Sequence, residues 1–270
     1  MICNIFDKLF IKYSGQIGII TDIITTEGAV IMERLDKILS SQGICTRKEA
    51  KKLCASGGVI VNGCTVKKSD TKIDPEKSEI VINGVRLEYK RYIYIMMNKP
   101  SGVLSASNDK HAETVIDLVP DEYKREGLFP AGRLDKDTTG LMIITDDGDT
   151  AHRMLSPKNH VYKLYRAELD APFTDKMKET LESGITLDDG TVYKPARIKS
   201  VSSGKTTVEI EICEGKFHQV KKMFAYSGAN VTKLKRLAVG GLFLDESLKE
   251  GDCRLLTDFE LGLIFDSNNN

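Results

Sequence analysis

The sequence predicts an α+β protein with a small N-terminal domain and a larger domain built on a mixed, largely antiparallel sheet. Its 270 residues exceed what one small core usually needs, so we expect two domains. Beyond residue 91, strand-like and helix-like stretches alternate irregularly, without the regular repeat that produces a doubly wound parallel sheet. The predicted divisions are an N-terminal extension at 1–31, domains at 32–90 and 91–266, and a disordered tail at 267–270.

Two helices are predicted to open the first domain. An apolar pattern at helical spacing marks the first helix, and it is formed by Leu35, Ile38 and Leu39. Gly43 follows where a left-handed C-terminal cap is expected. Thr46 and Glu49 have the spacing of a capping box, in which the two side chains satisfy backbone N–H groups at a helix start. A second helix is therefore predicted to begin at about Arg47.

The later elements are predicted from apolar runs and turn residues. In the first domain, the strand Val59-Ile60-Val61 precedes a tight hairpin turn at Asn62-Gly63. In the second domain, an apolar strand ends at Asn98-Lys99-Pro100-Ser101-Gly102, because proline lacks a donor and glycine permits a reversal. Beyond it, strands are predicted at 161–169 and 206–213, and helices at 173–184 and 218–228.

Charge is unevenly distributed along the chain, although the formal net charge is +0. Residues 32–99 contain 14 Lys and Arg against 8 Asp and Glu, and residues 197–236 contain nine against three. Two separate basic blocks are typical of a protein whose positive face binds a polyanion such as nucleic acid. Solvated surface lysines explain the same pattern, so charge alone leaves both interpretations open.

The six cysteines include neither a Cys-x-x-Cys pair nor a histidine at zinc-finger spacing. This usage favours reduced thiols in a cytoplasmic protein and no metal site. No apolar stretch reaches the roughly 18 residues that a membrane span requires. We therefore expect a cytoplasmic location and no membrane partner.

The stretch PAGRLDKDTTGLMIITDDG, residues 130–148, brings acidic residues next to a predicted buried strand. Asp135 precedes the apolar run Leu-Met-Ile-Ile, and Gly140 frees the backbone between them. An aspartate held rigidly in a loop against a core strand suits a nucleophile or a general base. A turn carboxylate that caps backbone N–H groups explains the same position.

The five residues Asp135-Lys136-Asp137-Thr138-Thr139 also match D-x-D-x-T, the nucleophile motif of haloacid-dehalogenase-type phosphatases that use Mg²⁺. Those enzymes place the first aspartate at the end of a buried parallel strand. Here the continuous apolar run follows the aspartate instead. The surrounding sequence therefore argues against a phosphatase.

The chain resembles two known families, one after the other. RLDKILSSQG followed by TRKEAKKLCASGGVIVNG resembles the S4 domain, a small RNA-binding module, over roughly residues 32–88. GRLDKDTTGLMIITDDG resembles the G-R-L-D-x-x-T-x-G-L motif of pseudouridine synthases, and MNKPSGVLSA, YKLYRAEL and EGKFHQVKKMFAYSG are similar to three further motifs. The combination looks most like the branch with an N-terminal S4 domain that acts on ribosomal RNA. His218 and Gln219 favour the members that modify 16S rRNA.

This resemblance implies isomerisation of one uridine to pseudouridine in ribosomal RNA, without a cofactor or a metal. Asp135 is the implied essential residue, and it must be ionised whether it attacks C1′, adds to C6 or removes a proton from C2′. Because burial raises the pKa of a carboxyl group, we expect a cationic partner. Lys221 matches the family's basic residue and is predicted to pair with Asp135, whereas Lys222 is predicted to be exposed.

The resemblance also suggests roles around Asp135. Tyr165 is implied to stack on the target uracil and is a candidate to take the C5 proton, although core packing competes as an explanation. Arg133 is the candidate to fill the gap left by a flipped nucleotide. Further candidate RNA contacts are Arg47, Lys48, Lys51, Lys52, Lys99, Lys216, His218, Gln219, Lys233, Lys235 and Arg236. We expect a monomer; the alternatives are a 23S rRNA enzyme of the same family and a non-catalytic rRNA-binding assembly factor.

Overall fold

The computed structural model describes residues 32–266 of the protein. The expectations for residues 1–31 and 267–270 lie outside these described residues. Within residues 32–266, no helix is both long enough and apolar enough to cross a membrane. The first region of this chain, up to about residue 90, packs around its own hydrophobic cluster, and the following region packs around two others.

The first region begins with two helices, and the second of them starts where the sequence predicts. After a short strand β1 (Glu33–Arg34), helix α1 spans Leu35–Ser41 and helix α2 spans Arg47–Ala55. The Thr46 backbone N–H donates to the Glu49 carboxylate at 2.9 Å, and the Glu49 N–H donates to the Thr46 hydroxyl at 3.3 Å. The predicted capping box is therefore confirmed, together with the start of α2.

A small sheet completes the first region. Its strands are β2 (Val59–Val61), β3 (Cys64–Thr65), β5 (Ile80–Ile82) and β6 (Val85–Arg86), in the order β3-β2-β5-β6, while β4 (Lys72–Ile73) pairs with β1. The turn between β2 and β3 has positive φ at both central residues, 49° at Asn62 and 78° at Gly63. This is the backbone of a tight two-residue hairpin, so the predicted turn is confirmed.

The second region is built on a mixed sheet of nine strands. These nine strands are β7 (Tyr94–Lys99), β8 (Phe129–Pro130), β9 (Thr139–Thr145), β10 (Lys163–Leu169), β13 (Arg197–Val201), β14 (Thr207–Ile212), β15 (Val231–Val239), β16 (Leu242–Phe243) and β17 (Cys253–Leu255). Seven of them follow the order β13-β14-β10-β15-β9-β7-β17, while β8 pairs with β9 and β16 pairs with β15. A separate pair consists of β11 (Ile185–Thr186) and β12 (Val192–Tyr193). All strand pairs in the nine-stranded sheet are antiparallel except β9 with β15, which confirms the predicted α+β class.

Four helices accompany this sheet. They are α3 (Gly148–Leu155), α4 (Asp175–Ser183), α5 (Gln219–Ser227) and α6 (Asp258–Leu263). Two of them, α4 and α5, lie within the predicted ranges 173–184 and 218–228, and Gly184 and Gly228 follow their last residues. The Asp147 carboxylate caps α3 by accepting hydrogen bonds from the Asp149 and Thr150 N–H groups.

The central strand β9 is buried on both faces. Met142 and Ile144 belong to the cluster on one side of the sheet, and Leu141 and Ile143 belong to the cluster on the other side. Successive side chains of a strand point to opposite faces, so a strand covered on both sides needs an unbroken apolar run. This arrangement explains why Leu-Met-Ile-Ile follows the Asp135 segment directly.

Gly140 lies where β9 passes between its two neighbours, opposite Lys99 of β7 and Arg236 of β15. Its φ is +98°, and a Cβ atom added there would lie only 2.2 Å from the Arg236 carbonyl oxygen. Only glycine fits this close approach between parallel strands without displacing backbone. Residues 134–138, which immediately precede this point, are therefore held at one end of the three central strands.

Candidate active site

The Asp135 loop, residues 134–138, is fixed by hydrogen bonds to the segment that follows β7. The Ser105 hydroxyl donates to the Leu134 carbonyl at 2.8 Å and accepts from the Leu134 N–H at 3.1 Å. The Gly102 N–H donates to the Lys136 carbonyl at 2.8 Å, and the Thr138 N–H donates to the Asp135 carbonyl at 3.1 Å. The Leu134 side chain is 7% exposed. The backbone on both sides of Asp135 is thus anchored.

Lys99, the last residue of β7, holds the same loop through hydrogen bonds from its side chain. Its side chain is fully buried, and its amine donates to the carbonyls of Pro100 at 3.0 Å, Lys136 at 3.2 Å and Thr138 at 3.0 Å. Burial lowers the pKa of this amine to about 8, and the nearby carboxylates of Asp137 and Asp135 oppose that shift. The predicted RNA contact of Lys99 is wrong, because the amine is inaccessible and is used to hold backbone.

The Asp135 carboxylate faces two basic side chains on the far side of a shallow pocket. Lys221 Nζ lies 3.4 Å from Asp135 Oδ2, and His218 Nε2 lies 3.4 Å from Asp135 Oδ1. The side chain of Asp135 is 24% exposed, so one edge of the carboxylate remains open to a ligand. The predicted pairing of Lys221 with Asp135 is present in the structure.

Lys221 also has a second and closer partner that the sequence analysis did not assign. Its amine donates to both oxygens of Asp137, at 2.6 and 2.8 Å. These hydrogen bonds hold the pKa of Asp137 below its usual value. The turn closed by the Thr138 N–H brings the carboxylates of residues 135 and 137 to one side of the loop, and a single amine is shared between them.

Helix α5 presents Lys221 by packing its apolar face into the core. Val220, Met223 and Phe224 are all buried. Lys222 was predicted to be exposed, but it is half-buried, as Lys221 is. The two amines differ in their neighbours, because the Lys222 amine lies over the exposed Phe217 ring at 5.3 Å from the centroid.

Tyr165 and Arg133 line the same pocket as Asp135. The Tyr165 side chain is 8% exposed and also belongs to the main hydrophobic cluster of the sheet, so its pocket position and its core packing coexist. Arg133 is exposed. Within the described residues, no hydrogen bond or ion pair involves its guanidinium, which leaves that group available to a ligand.

Two other predicted RNA contacts are buried structural residues. Gln219 is 3% exposed; its amide donates to Glu214 at 2.9 Å and accepts from the Lys216 N–H at 3.1 Å. Arg236 is also 3% exposed and donates to the Leu141 carbonyl at 2.7 Å, across the parallel pair β9–β15. The structure contradicts RNA contacts for both residues, because their polar groups are used to hold the loop before α5 and the centre of the sheet.

The remaining predicted cations are at the surface. Lys216 reaches Glu214 at 3.5 Å from the rim of the pocket, and Lys233 reaches Glu168 at 3.2 Å. Lys235 is partly exposed. On α2, every predicted basic side chain is exposed, namely Arg47, Lys48, Lys51 and Lys52. These positions fit the predicted RNA contacts, which stay predictions.

Ser105 and Phe217 contact residues of the site, Leu134 and His218, and were not among the predicted residues. Ser105 belongs to MNKPSGVLSA, which was identified as a motif, but nothing in the sequence indicates that its hydroxyl bonds to the Leu134 backbone 29 residues away. Phe217 directly precedes His218 and is 71% exposed. An aromatic residue within a polar stretch, EGKFHQ, was the available indication.

Comparison with known proteins gives a consistent result over both regions. A family model described as RNA pseudouridylate synthase matches residues 93–226, and a model described as S4 domain matches residues 33–78. A crystal structure described as a pseudouridylate synthase has a TM-score of 0.60 and 36% identity, covering 86% of this chain and 99% of that one.

The chain matches curated relatives over nearly the whole length of each relative. An uncharacterized RNA pseudouridine synthase of Bacillus subtilis, YtzG, is 44% identical over 233 residues, which are 86% of this chain and 98% of the relative. Ribosomal small subunit pseudouridine synthase A of Vibrio vulnificus is 40% identical, with 86% and 99% covered. The protein of the same name from Escherichia coli K12 is 35% identical, again with 86% and 99% covered.

Replacing Lys99 tests the anchoring of the Asp135 loop. Lys99→Met should lower the free energy of unfolding by about 2–3 kcal/mol, because three carbonyls lose their buried donor. The difference from wild type should grow as the pH rises from about 8 towards 10. In that range the folded wild-type protein releases the proton that the unfolded chain still binds, so its stability rises with pH. Urea denaturation across pH measures both effects.

Lys136→Met is the matched control, since Lys136 lies in the same loop with an exposed side chain. It should change stability by less than about 0.5 kcal/mol at every pH. Equal losses in the two variants, or a difference from wild type that shrinks with rising pH, would contradict the role assigned to the Lys99 amine.

Proposed function

The chain belongs to the RNA pseudouridylate synthase family, and from that premise we propose that it converts one uridine of small-subunit ribosomal RNA to pseudouridine. The relatives named for the ribosomal small subunit support this substrate. The sequence EGKFHQVKKMF, with His218 and Gln219, supports the same choice over the large-subunit members. The single observation that carries the proposal is the open, cation-paired Asp135 carboxylate in a pocket walled by Tyr165.

The proposed reaction rearranges bonds within one nucleotide. The N1–C1′ bond breaks, the uracil turns while it stays bound, and a C5–C1′ bond forms. C5 loses a proton and N1 gains one, so product and substrate have the same atoms and no electrons are exchanged with a partner. The protein therefore has to bind the uracil, orient the ribose and supply one ionised group.

We assign that ionised group to Asp135. Its loop is held by backbone bonds on both sides, so the carboxylate does not need to be ordered during the reaction. The Lys221 amine lies 3.4 Å from one carboxylate oxygen, and its attraction for that oxygen fixes the direction of the carboxylate. Attack on C1′, addition to C6 and removal of a C2′ proton all use this same charged oxygen.

Tyr165 and Arg133 are the proposed contacts to the target nucleotide. The Tyr165 ring is held by the sheet and lines the pocket, where it can stack on the uracil. The planar Arg133 guanidinium can stack in the RNA where the target base was and contact a phosphate. Lys221 is assigned to positioning the carboxylate rather than to binding RNA.

We propose that the first region binds folded RNA. We propose a division near residue 90, with the S4-like region at 32–90 and the catalytic region at 91–266. The exposed cations of α2 are the contacts that the S4 resemblance supports. We propose a monomer as the active species. The proposed substrate is an RNA of the ribosomal small subunit, which supports a cytoplasmic location for the enzyme.

The alternative functions differ in how they use Asp135. A D-x-D-x-T phosphatase requires a strand that ends at the first aspartate, whereas β9 begins four residues after Asp135. A non-catalytic assembly factor would keep its RNA affinity and would not depend on the carboxylate. Substitution of Asp135 separates these cases.

Asp135→Asn should abolish pseudouridine formation, by at least about 1,000-fold, while RNA affinity changes by less than about threefold. The amide keeps the shape of the carboxylate but supplies no charged oxygen. Single-turnover assays on a small-subunit rRNA transcript, with modified positions mapped by chemical probing, measure the rate.

Asp137→Asn is the control in the same loop. It should reduce the rate far less, because Lys221 keeps Asp135 as a partner. A rate for Asp135→Asn within tenfold of wild type would remove Asp135 as the catalytic residue. Phosphate release that needs Mg²⁺ and depends on both aspartates would instead favour the phosphatase.

Lys221→Met should lower the single-turnover rate by about 100-fold or more at saturating RNA, because two neighbouring carboxylates lose their shared cation. Lys222→Met is its matched control on the same helix and should cost less than about threefold in rate. Saturating RNA keeps a binding defect from lowering the measured rate. Equal losses in the two variants would show that Lys221 is only one of several RNA-binding cations.

Charge reversal on α2 tests the proposed RNA-binding face. Replacing Arg47, Lys48, Lys51 and Lys52 with Glu should weaken RNA binding and reduce the slope of log affinity against log salt by about 3, because fewer counterions are released. Lys176→Glu with Lys178→Glu, two exposed positions on α4, is the control. An unchanged slope in the α2 variant would mean that this helix faces away from RNA.

A further inference from the structure

An exposed aromatic ring lies at the edge of the Asp135 pocket. Phe217 is 71% exposed, although the next residue, His218, lines that pocket. It comes two residues before the start of α5, on the segment that also carries Lys216. Neither the hydrophobic clusters nor the bond changes of the proposed reaction account for this phenyl ring.

The Phe217 ring is not free to point anywhere. It stacks on the His218 imidazole with 3.8 Å between ring centroids and 19° between planes. His218 has a left-handed backbone, with φ of 52°, and its Nε2 lies 3.4 Å from Asp135 Oδ1. The imidazole that contacts the Asp135 carboxylate therefore also stacks on the Phe217 ring, and most of that ring remains exposed.

The other contact of the ring is with a flexible cation. Lys222 Nζ lies over Phe217 at 5.3 Å from the ring centroid, farther than the centroid of the His218 imidazole at 3.8 Å. A lysine side chain can move away when a flat group arrives, and its ammonium can then bind a phosphate. The ring is thus one flat apolar surface with a cation beside it, which matches a nucleobase attached to its phosphate.

The proposed reaction creates a need for such a surface. To reach Asp135, the target uridine has to leave its stack, and its neighbour then loses a stacking partner. A ring that stacks on this neighbour offsets part of that loss. His218 contacts both the Asp135 carboxylate and the Phe217 ring, so Phe217 lies next to a uridine bound at Asp135, where the base within reach is its neighbour.

We propose that Phe217, supported by His218, is a stacking platform for the base of a nucleotide that flanks the target uridine. This inference rests on the proposed function, because the flanking base is defined by the bound uridine. The platform recognises the flat face of an RNA base and not its hydrogen-bonding edge, so it contributes affinity for an opened RNA more than base identity.

The test compares Phe217→Leu with Phe217→Tyr on a small-subunit rRNA fragment that contains the modified uridine. Leu keeps an apolar side chain of similar size without a flat ring, and Tyr keeps the ring. Phe217→Leu should weaken fragment binding roughly 5- to 150-fold, the range for loss of one base–aromatic stack. Phe217→Tyr should bind within about threefold of wild type.

Two abasic fragments identify which neighbouring base stacks on Phe217. One lacks the nucleobase on the 5′ side of the uridine, and the other lacks the nucleobase on its 3′ side. For one of these abasic fragments, wild type should lose about as much affinity as Phe217→Leu loses on intact RNA, and Phe217→Leu should lose little more. Phe259→Leu is the matched control, because Phe259 is 76% exposed on α6 and, unlike Phe217, has no neighbour in sequence that lines the pocket. It should bind every fragment as wild type does.

Two results would overturn the platform. One is equal binding of the Leu and Tyr variants to intact RNA. The other is a ratio of Phe217→Leu affinity to wild-type affinity that is the same on intact RNA and on both abasic fragments. Pseudouridine formation by the wild-type protein on the intact fragment is scored separately. Its absence would count against the proposed function, whereas its presence without any Phe217 coupling would count against the platform alone.

Discussion

The buried amine of Lys99 is the interaction on which the arrangement of the site depends. It lies at the end of β7, opposite Gly140, and donates to backbone carbonyls on both sides of Asp137. A buried cation is costly unless its hydrogen bonds are made, so the loop has to keep its carbonyls on that amine. The sheet thereby fixes the loop, and the loop fixes Asp135.

The second constraint is electrostatic and comes from the opposite side. Helix α5 packs three apolar side chains into the core, which brings Lys221 to within 3.4 Å of Asp135 and 2.6 Å of Asp137. Hydrogen bonds from the Lys99 amine hold the backbone of the loop, and the Lys221 amine holds the carboxylate itself. Its remaining edge opens to a pocket whose other walls, Tyr165 and Arg133, suit a base and a phosphate.

The sequence was sufficient for elements whose cause is local. The capping box at Thr46, the hairpin at Asn62-Gly63 and the buried strand after Asp135 all follow from neighbouring residues. Lys99, Gln219 and Arg236 were misassigned as RNA contacts, because their partners lie on other elements and a basic or amide side chain in a sequence does not reveal burial. Similarly, Lys221 was paired with Asp135 by resemblance, but only the folded turn shows that Asp137 shares the same amine.

The central claim is that this chain uses Asp135 to modify one uridine of small-subunit ribosomal RNA. The most direct measurement maps pseudouridines in all ribosomal RNA from cells that lack the gene, and from the same cells complemented with wild type or with the Asp135→Asn protein. The account predicts that one small-subunit position loses its modification and regains it with wild type only. An unchanged map, a lost position in large-subunit RNA, or full restoration by Asp135→Asn would contradict it.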